Sequence, residues 1–207
     1  MWVVKLGGSL FNSADLRDWL AVLAKAGSLV IVPGGGPFAD QVRLAQRLWQ
    51  IDDSSAHLMA LLAMEQFGRM LCGLQTGLAA AADQSQIEEA LRRGETPVWM
   101  PTTMVMADPE IKHGWEVTSD SLSAWLCRAL DIDNLLLVKS VTREEASLPL
   151  EKLTEAGIVD AQFDTFLRQG ALHAWVLSGP DYARFGELRH GNGDKVRSFE
   201  LGPVNRP

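Results

Sequence analysis

Trp2-Val3-Val4-Lys5-Leu6-Gly7-Gly8-Ser9 and, one helical stretch later, Leu29-Val30-Ile31-Val32-Pro33-Gly34-Gly35-Gly36-Pro37 decide how this chain folds. Each is a short apolar run that stops at consecutive glycines. Such runs, bounded by turn residues, suit strands buried on both faces, as in a parallel sheet covered by helices. Between them Leu16, Trp19, Leu20 and Leu23 recur at helical spacing over 14–26, with Ser13 as the expected N-cap and Gly27 as the stop. Ligands of open α/β sheets bind beyond the carboxyl ends of the strands, so both glycine turns are expected to face one crevice.

The pattern continues outward. Stretches 38–49, 54–74, 85–93, 119–130, 161–168 and 182–189 read as helices, and 98–106, 135–139 and 172–177 as strands. Pro101 marks a strand edge or end, and 196–201 reads as a last edge strand. The polar stretch 140–149, with Arg143, Glu144 and Glu145, is expected to be a loop or flap. Apolar strands alternating with helices give the α/β class, with a largely parallel sheet covered on both faces. There is no internal repeat and no low-complexity linker, so one domain over 1–207 is expected; strand order is not legible.

Composition narrows the function. Hydrophobic residues are 47 % of the 207 and charged residues 22 %, enough for a core that needs neither disulfides nor a structural metal. Cys72 and Cys127 sit in separate apolar helical stretches, which suits a reducing compartment. A formal charge of -7 without a basic stripe argues against nucleic-acid binding. The start lacks a signal-peptide pattern and no apolar run reaches membrane length, so a cytoplasmic protein without a membrane partner is expected.

Three constellations carry chemistry. Gly7 and Gly8, directly after Lys5-Leu6, let a backbone approach a phosphate with no side chain between, and Lys5 can offset charge on a transferring phosphoryl group. The pattern is not a Walker A loop, and a tight turn with a solvated lysine is the structural alternative. Gly34-Gly35-Gly36 opens a helix, whose N-terminus favours an anion; a plain flexible turn is the alternative there. Thr118-Ser119-Asp120 enters the helix at 119, either as an ordinary cap or with Asp120 holding Lys5 or helping to place Mg²⁺.

Together these motifs resemble the amino acid kinase superfamily: Val4-Lys5-Leu6-Gly7-Gly8-Ser9, Val32-Pro33-Gly34-Gly35-Gly36 and Thr118-Ser119-Asp120 occur in its order and over most of the chain. The resemblance implies a three-layer α/β/α sandwich with a mostly parallel central sheet. It implies an acceptor-binding half over about 1–115 and a half over about 116–207 that binds ATP with Mg²⁺. Transfer would be in line, Lys5 and the glycine amides would stabilise the moving group, and Asp120 would organise the site. Within the superfamily, Pro33-Gly34-Gly35-Gly36-Pro37-Phe38-Ala39-Asp40, Ala56-His57-Leu58-Met59-Ala60, the stretch 115–126 and Leu136-Leu137-Val138-Lys139-Ser140 are similar to a short subgroup. Its members phosphorylate [5-(aminomethyl)furan-3-yl]methyl phosphate in methanofuran-type cofactor synthesis.

One departure stands out. Several superfamily kinases carry a second catalytic lysine in a Gly-rich stretch of the carboxyl-terminal half, and the counterpart here, Gly157-Ile158-Val159-Asp160, has none. Lys139 at a strand end, or the segments around Lys152 or Lys195, could supply that charge; otherwise the chain would be a nucleotide-binding sensor or storage protein. Ser9, Lys139, Ser140, Ser178 and Gly179 are candidates for phosphate and nucleotide contacts. On the acceptor side the candidates are Asp53, His57, Trp115, Thr118 and Ser119, with Asp52, Asp108 and Glu116 as other carboxylates that could meet a cationic acceptor. A structural histidine and a packing tryptophan are the alternatives for His57 and Trp115. The remaining expectations are a small-molecule acceptor, possible kinase activity on another carboxylate or phosphomonoester, and a homo-oligomer.

Overall fold

The computed structural model describes residues 1–170 and 172–189; the expected strand at 196–201 and Lys195 lie outside the described residues. Strand β1 (Trp2–Leu6) is central. It is flanked by β2 (Leu29–Pro33) and β5 (Asn134–Lys139), with β4 (Thr96–Trp99) and β3 (Leu78–Ala81) outward of β2 and β6 (His173–Ser178) outward of β5. Every pairing among the described residues is parallel, and Lys5 sits level with Val32 on one side and Leu137 on the other. The carboxyl ends of β1, β2 and β5 therefore finish side by side.

Alternation of side chains along the strands sorts the helices into two layers. Thr96 Oγ1 donates to the Leu23 carbonyl of α1 (Asp15–Ala26), and Gly68 of α3 (Asp53–Leu74) lies against Val98, so α1 and α3 cover one face. Trp99 turns the other way and stacks on Trp125 of α6 (Ser119–Ala129), with ring centroids 5.9 Å apart. Helix α9 (Phe163–Gly170) packs on α6, and α10 (Arg184–Arg189) joins the α1 face, where Phe185 meets Trp2 and Trp19. This is a three-layer α/β/α sandwich. Leu135, Leu136, Leu137 and Val138 are fully buried, each contributing about 1.5–3 kcal/mol of transfer free energy. Both cysteines are free, and burial pushes both thiols above their usual range. Among the described residues no helix is long and apolar enough to cross a membrane.

Three expectations are corrected. The run 98–106 is not one strand: β4 ends at Trp99, and α5 (Thr102–Ala107) starts after Pro101, whose φ of -73° suits a helix entry. Strand β3, Leu-Ala-Ala-Ala, has no expected counterpart, because alanine carries little strand propensity and the pairing with β4 supplies the order. The polar stretch 140–149 is not all loop: it holds α7 (Arg143–Ala146), which Thr142 and Glu145 close with a reciprocal capping box, and α8 (Leu150–Glu155) follows. The two remaining helices, α2 (Gly36–Trp49) and α4 (Gln84–Arg92), lie where helices were expected.

Candidate active site

The two glycine turns touch. A methyl group on Gly8 would lie 2.3 Å from the Gly36 nitrogen, and one on Gly34 would lie 2.4 Å from the Gly8 nitrogen. Only glycine allows backbones this close. The Gly34 amide donates to the Leu6 carbonyl (2.8 Å) and the Gly7 amide to the Val138 carbonyl (2.9 Å), so both turns are sewn to the ends of β1 and β5. Gly36, at φ +54°, begins α2, whose first-turn amides have no helical acceptor of their own.

Beside the turns lies a cavity of about 640 Å³, with Gly8, Ser9, Gly35 and Gly36 in its wall. Lys5, at the end of β1, is 3 % exposed, and its Nζ stands 2.9 Å from Asp120 Oδ1. Lys139, at the end of β5, has its Nζ 2.6 Å from Asp120 Oδ2 and donates to the Ile158 carbonyl at 2.5 Å. One carboxylate thus serves two ammonium groups, one buried and one nearly so, and the three side chains together carry a net charge of +1. Burial alone would raise the Asp120 pKa, but Lys139 and Lys5 outweigh it and hold it down to about 2. Burial, with Lys5 adding to it, lowers Lys139 from an ordinary 10.5 to about 8 despite Asp120. At this spot the two ammonium groups outnumber the one carboxylate they share, an arrangement that can attract an anion.

Asp160 sits on the same wall as a cap from outside the helix. Thr118, at the N-cap of α6, makes no side-chain cap bond. Instead the Asp160 carboxylate accepts from the Thr118 amide (2.9 Å), the Thr118 hydroxyl (2.8 Å), the Ser121 amide (3.0 Å) and the Ser121 hydroxyl. It fixes the helix end that presents Ser119 and Asp120.

Another part of the wall is aromatic and polar. The Trp115 Nε1 donates to Gln46 Oε1 (2.6 Å), and the Gln46 amide donates to Asp53 Oδ1 (2.9 Å). The guanidinium of Arg43 lies 4.0 Å from the Trp115 ring centroid. His57 is buried and stacks on His113 at 4.9 Å, and its Nε2 has no hydrogen-bond partner among the described residues. Burial first, and His113 second, lower its pKa below the usual value.

Of the expected residues, Lys5, Gly8, Ser9, Gly35, Gly36, Asp53, His57, Trp115, Thr118, Ser119, Asp120 and Lys139 come together on this cavity, while Gly7 and Gly34 support it from behind. Ser140, Ser178 and Gly179 are not in its wall. Ser178 donates to Asp181, and the Gly179 carbonyl accepts from Trp19 Nε1 (2.6 Å). Among the alternative carboxylates, Asp52 caps α3 through the Ser55 amide (2.9 Å), and Asp108 accepts from Trp125 Nε1 (2.8 Å). Arg43 and the role of Asp160 escaped the sequence. Arg43 carries no motif, and the one signal for Asp160 was its place in the segment that lacks the lysine.

The family model for the amino acid kinase family matches residues 1–143. The chain is 28 % identical over 204 residues to the [5-(aminomethyl)furan-3-yl]methyl phosphate kinase of Methanocaldococcus jannaschii, covering 92 % of this chain and 94 % of that protein. Among solved structures, uridylate kinase from Archaeoglobus fulgidus has the same fold at a TM-score of 0.67 and 17 % identity, covering 92 % of this chain and 96 % of that one. Aspartate kinase from Synechocystis reaches 0.60 at 16 % identity, over 86 % of this chain and 37 % of its own.

Proposed function

The chain belongs to the amino acid kinase family and is a phosphotransferase, and from that premise we propose that it moves the γ-phosphoryl group of ATP onto a phosphate monoester. The acceptor is [5-(aminomethyl)furan-3-yl]methyl phosphate and the product its diphosphate, a step of methanofuran-type synthesis in one-carbon metabolism. The activity named for the Methanocaldococcus relative, aligned over nearly its whole length, supports this acceptor. The observation that carries the reading is the meeting of two glycine turns and two ammonium groups at one cavity.

An oxygen of the acceptor phosphate attacks the γ-phosphorus in line, the bond to the β–γ bridging oxygen breaks, and ADP leaves. The acceptor dianion is already deprotonated at neutral pH, so no general base is required. Lys5 stabilises the charge on the moving group. Lys139, reaching the Ile158 carbonyl, brings positive charge to the segment that lacks a lysine of its own, and Asp120 keeps both ammonium groups in place. Gly7, Gly8 and Ser9 cradle the ATP phosphates, with Ser140, Ser178 and Gly179 on the nucleotide side. Gly34, Gly35, Gly36 and the α2 N-terminus receive the acceptor phosphate. Thr118 and Ser119 line the passage, and Asp53, His57 and Trp115 hold the rest of the acceptor.

No group of three or more ligating side chains able to hold a metal is present among the described residues, and Asp120 and Asp160 are engaged. Mg²⁺ therefore fits as an ion carried on the nucleotide phosphates and water. In the sheet, β1 to β4 would form the acceptor half and β5 with β6 the nucleotide half of one domain. We further propose a cytoplasmic homo-oligomer.

Incubation of the protein with ATP, Mg²⁺ and a panel of phosphomonoesters and carboxylates tests the reaction by ADP release. The furan phosphate is expected to turn over, and Lys5→Ala to lower its rate on the order of 10²–10³-fold in a folded protein. Turnover of a different acceptor but not the furan phosphate rejects the acceptor; near-normal rates in Lys5→Ala reject the role of Lys5.

A further inference from the structure

The cavity wall holds three full positive charges among the described residues, Lys5, Lys139 and Arg43, against the carboxylates of Asp40, Asp53, Asp120 and Asp160. The two lysines share Asp120 and together offer a net charge of +1. A phosphomonoester brings a charge of about -1.5 to -2 at neutral pH, beyond that of the nucleotide, so a second anion in this cavity calls for the third cation.

Arg43 is built for that use. Its link to Asp40 is long, 3.4 Å, and both side chains are substantially exposed (42 % and 70 %), so the pair is worth little and exchanges readily for another anion. Its side chain leans back along α2, as helical side chains do: Asp40 lies one turn nearer the glycine turns. The guanidinium carbon lies 4.0 Å from the ring centroid of Trp115, which is itself anchored by Gln46 and, through Gln46, by Asp53. Among the described residues the five N–H donors of Arg43 meet one weak acceptor, Asp40, which keeps donors available for a planar pair of oxygens.

We infer that Arg43, lying over Trp115, joins the α2 N-terminus in gripping the acceptor's phosphate and makes the site select phosphomonoesters over carboxylates. This rests on the phosphomonoester reading above. Lysine at this position would keep the charge but lose the fork and the stacking.

Calorimetric binding of [5-(aminomethyl)furan-3-yl]methyl phosphate to the ADP-loaded full-length protein tests it, with KM values for acceptor and ATP measured alongside. Arg43→Gln is expected to weaken acceptor binding and raise the acceptor KM about tenfold to a hundredfold. The ATP KM and the melting temperature should stay near wild type, and Arg43→Lys should fall between. Unchanged acceptor binding in Arg43→Gln, a fall in melting temperature without a binding change, or no binding of the monoester to the wild type overturns the inference. If the wild type binds the monoester through Arg43 yet releases no ADP, the kinase reading of that acceptor fails while the assignment of Arg43 stands.

Discussion

Lys139 is the residue whose charge state decides most in this cavity. Its ammonium is nearly buried, shares a carboxylate with Lys5 and keeps a bond to the Ile158 carbonyl. Burial lowers its pKa to about 8, so the positive charge is complete below that pH and disappears above it. For the free enzyme, kcat/KM for ATP is expected to fall as pH rises through about 8, and Lys139→Arg, always charged, should move that limb upward. A pH profile with no loss until well above 8, or one that Lys139→Arg leaves untouched, would sink the role given to Lys139. Stability has the opposite sign. Between about 8 and the unfolded value of 10.5 the unfolded chain binds more protons at Lys139, so this group's contribution rises with pH in that window. Asp120 acts at the acid end: its stabilisation is complete above 3.8 and is lost as pH falls through about 2.

Helix α6 belongs to the next scale up, because its usefulness depends on where its first turn sits. Nine consecutive residues, Ser119 to Cys127, are buried, an all-round burial that a capped and firmly placed helix tolerates. The cap comes from Asp160, thirty-nine residues after Ser121. Removing it strands two amides and two hydroxyls in a partly buried spot. Asp160→Ala is expected to lower stability by about 1–3 kcal/mol, measured by urea unfolding, with a drop in kcat as Asp120 loses its register. An unchanged denaturation midpoint would show that α6 does not need this cap. The glycine turns illustrate how elements were legible: Gly8 and Gly34 announced close approach because no other residue tolerates it. By contrast, β3 left no trace in its alanines, and α5 hid inside an apolar run whose proline could end a strand or begin a helix.

Across the whole molecule, the site lies where the strand order reverses. From β1 the chain steps to β2 on one side and returns much later as β5 on the other, leaving a crevice at the carboxyl ends of both neighbours. That position explains how residues as far apart as Lys5, Lys139 and Asp160 share one cavity. The same scale bears on assembly. Leu44 (41 % exposed), Leu48 (66 %), Trp49 (78 %) and Leu62 (50 %) leave apolar side chains exposed on the packed pair α2 and α3, and a contiguous face of this kind would mark an interface. If a second copy covers it, sedimentation should give a species heavier than 22.7 kDa, and Leu48→Glu with Trp49→Glu should return it to the monomer. A wild type that stays monomeric at every concentration would reject this face as an interface.

Local backbone demands were written in the residues themselves. Two glycine turns, a lysine at a strand end and apolar runs of strand length each follow from conformational freedom or burial over a few neighbouring positions. They led to the α/β class with a sheet covered on both faces, and to two glycine turns that meet beside Lys5. Only the folded chain decided that Lys139 would share a carboxylate with Lys5, that Asp160 would close α6 and that Arg43 would lie over Trp115. Those pairings join distant parts of the chain through side-chain direction and helix packing, and both are set by the tertiary arrangement rather than by any short stretch of sequence.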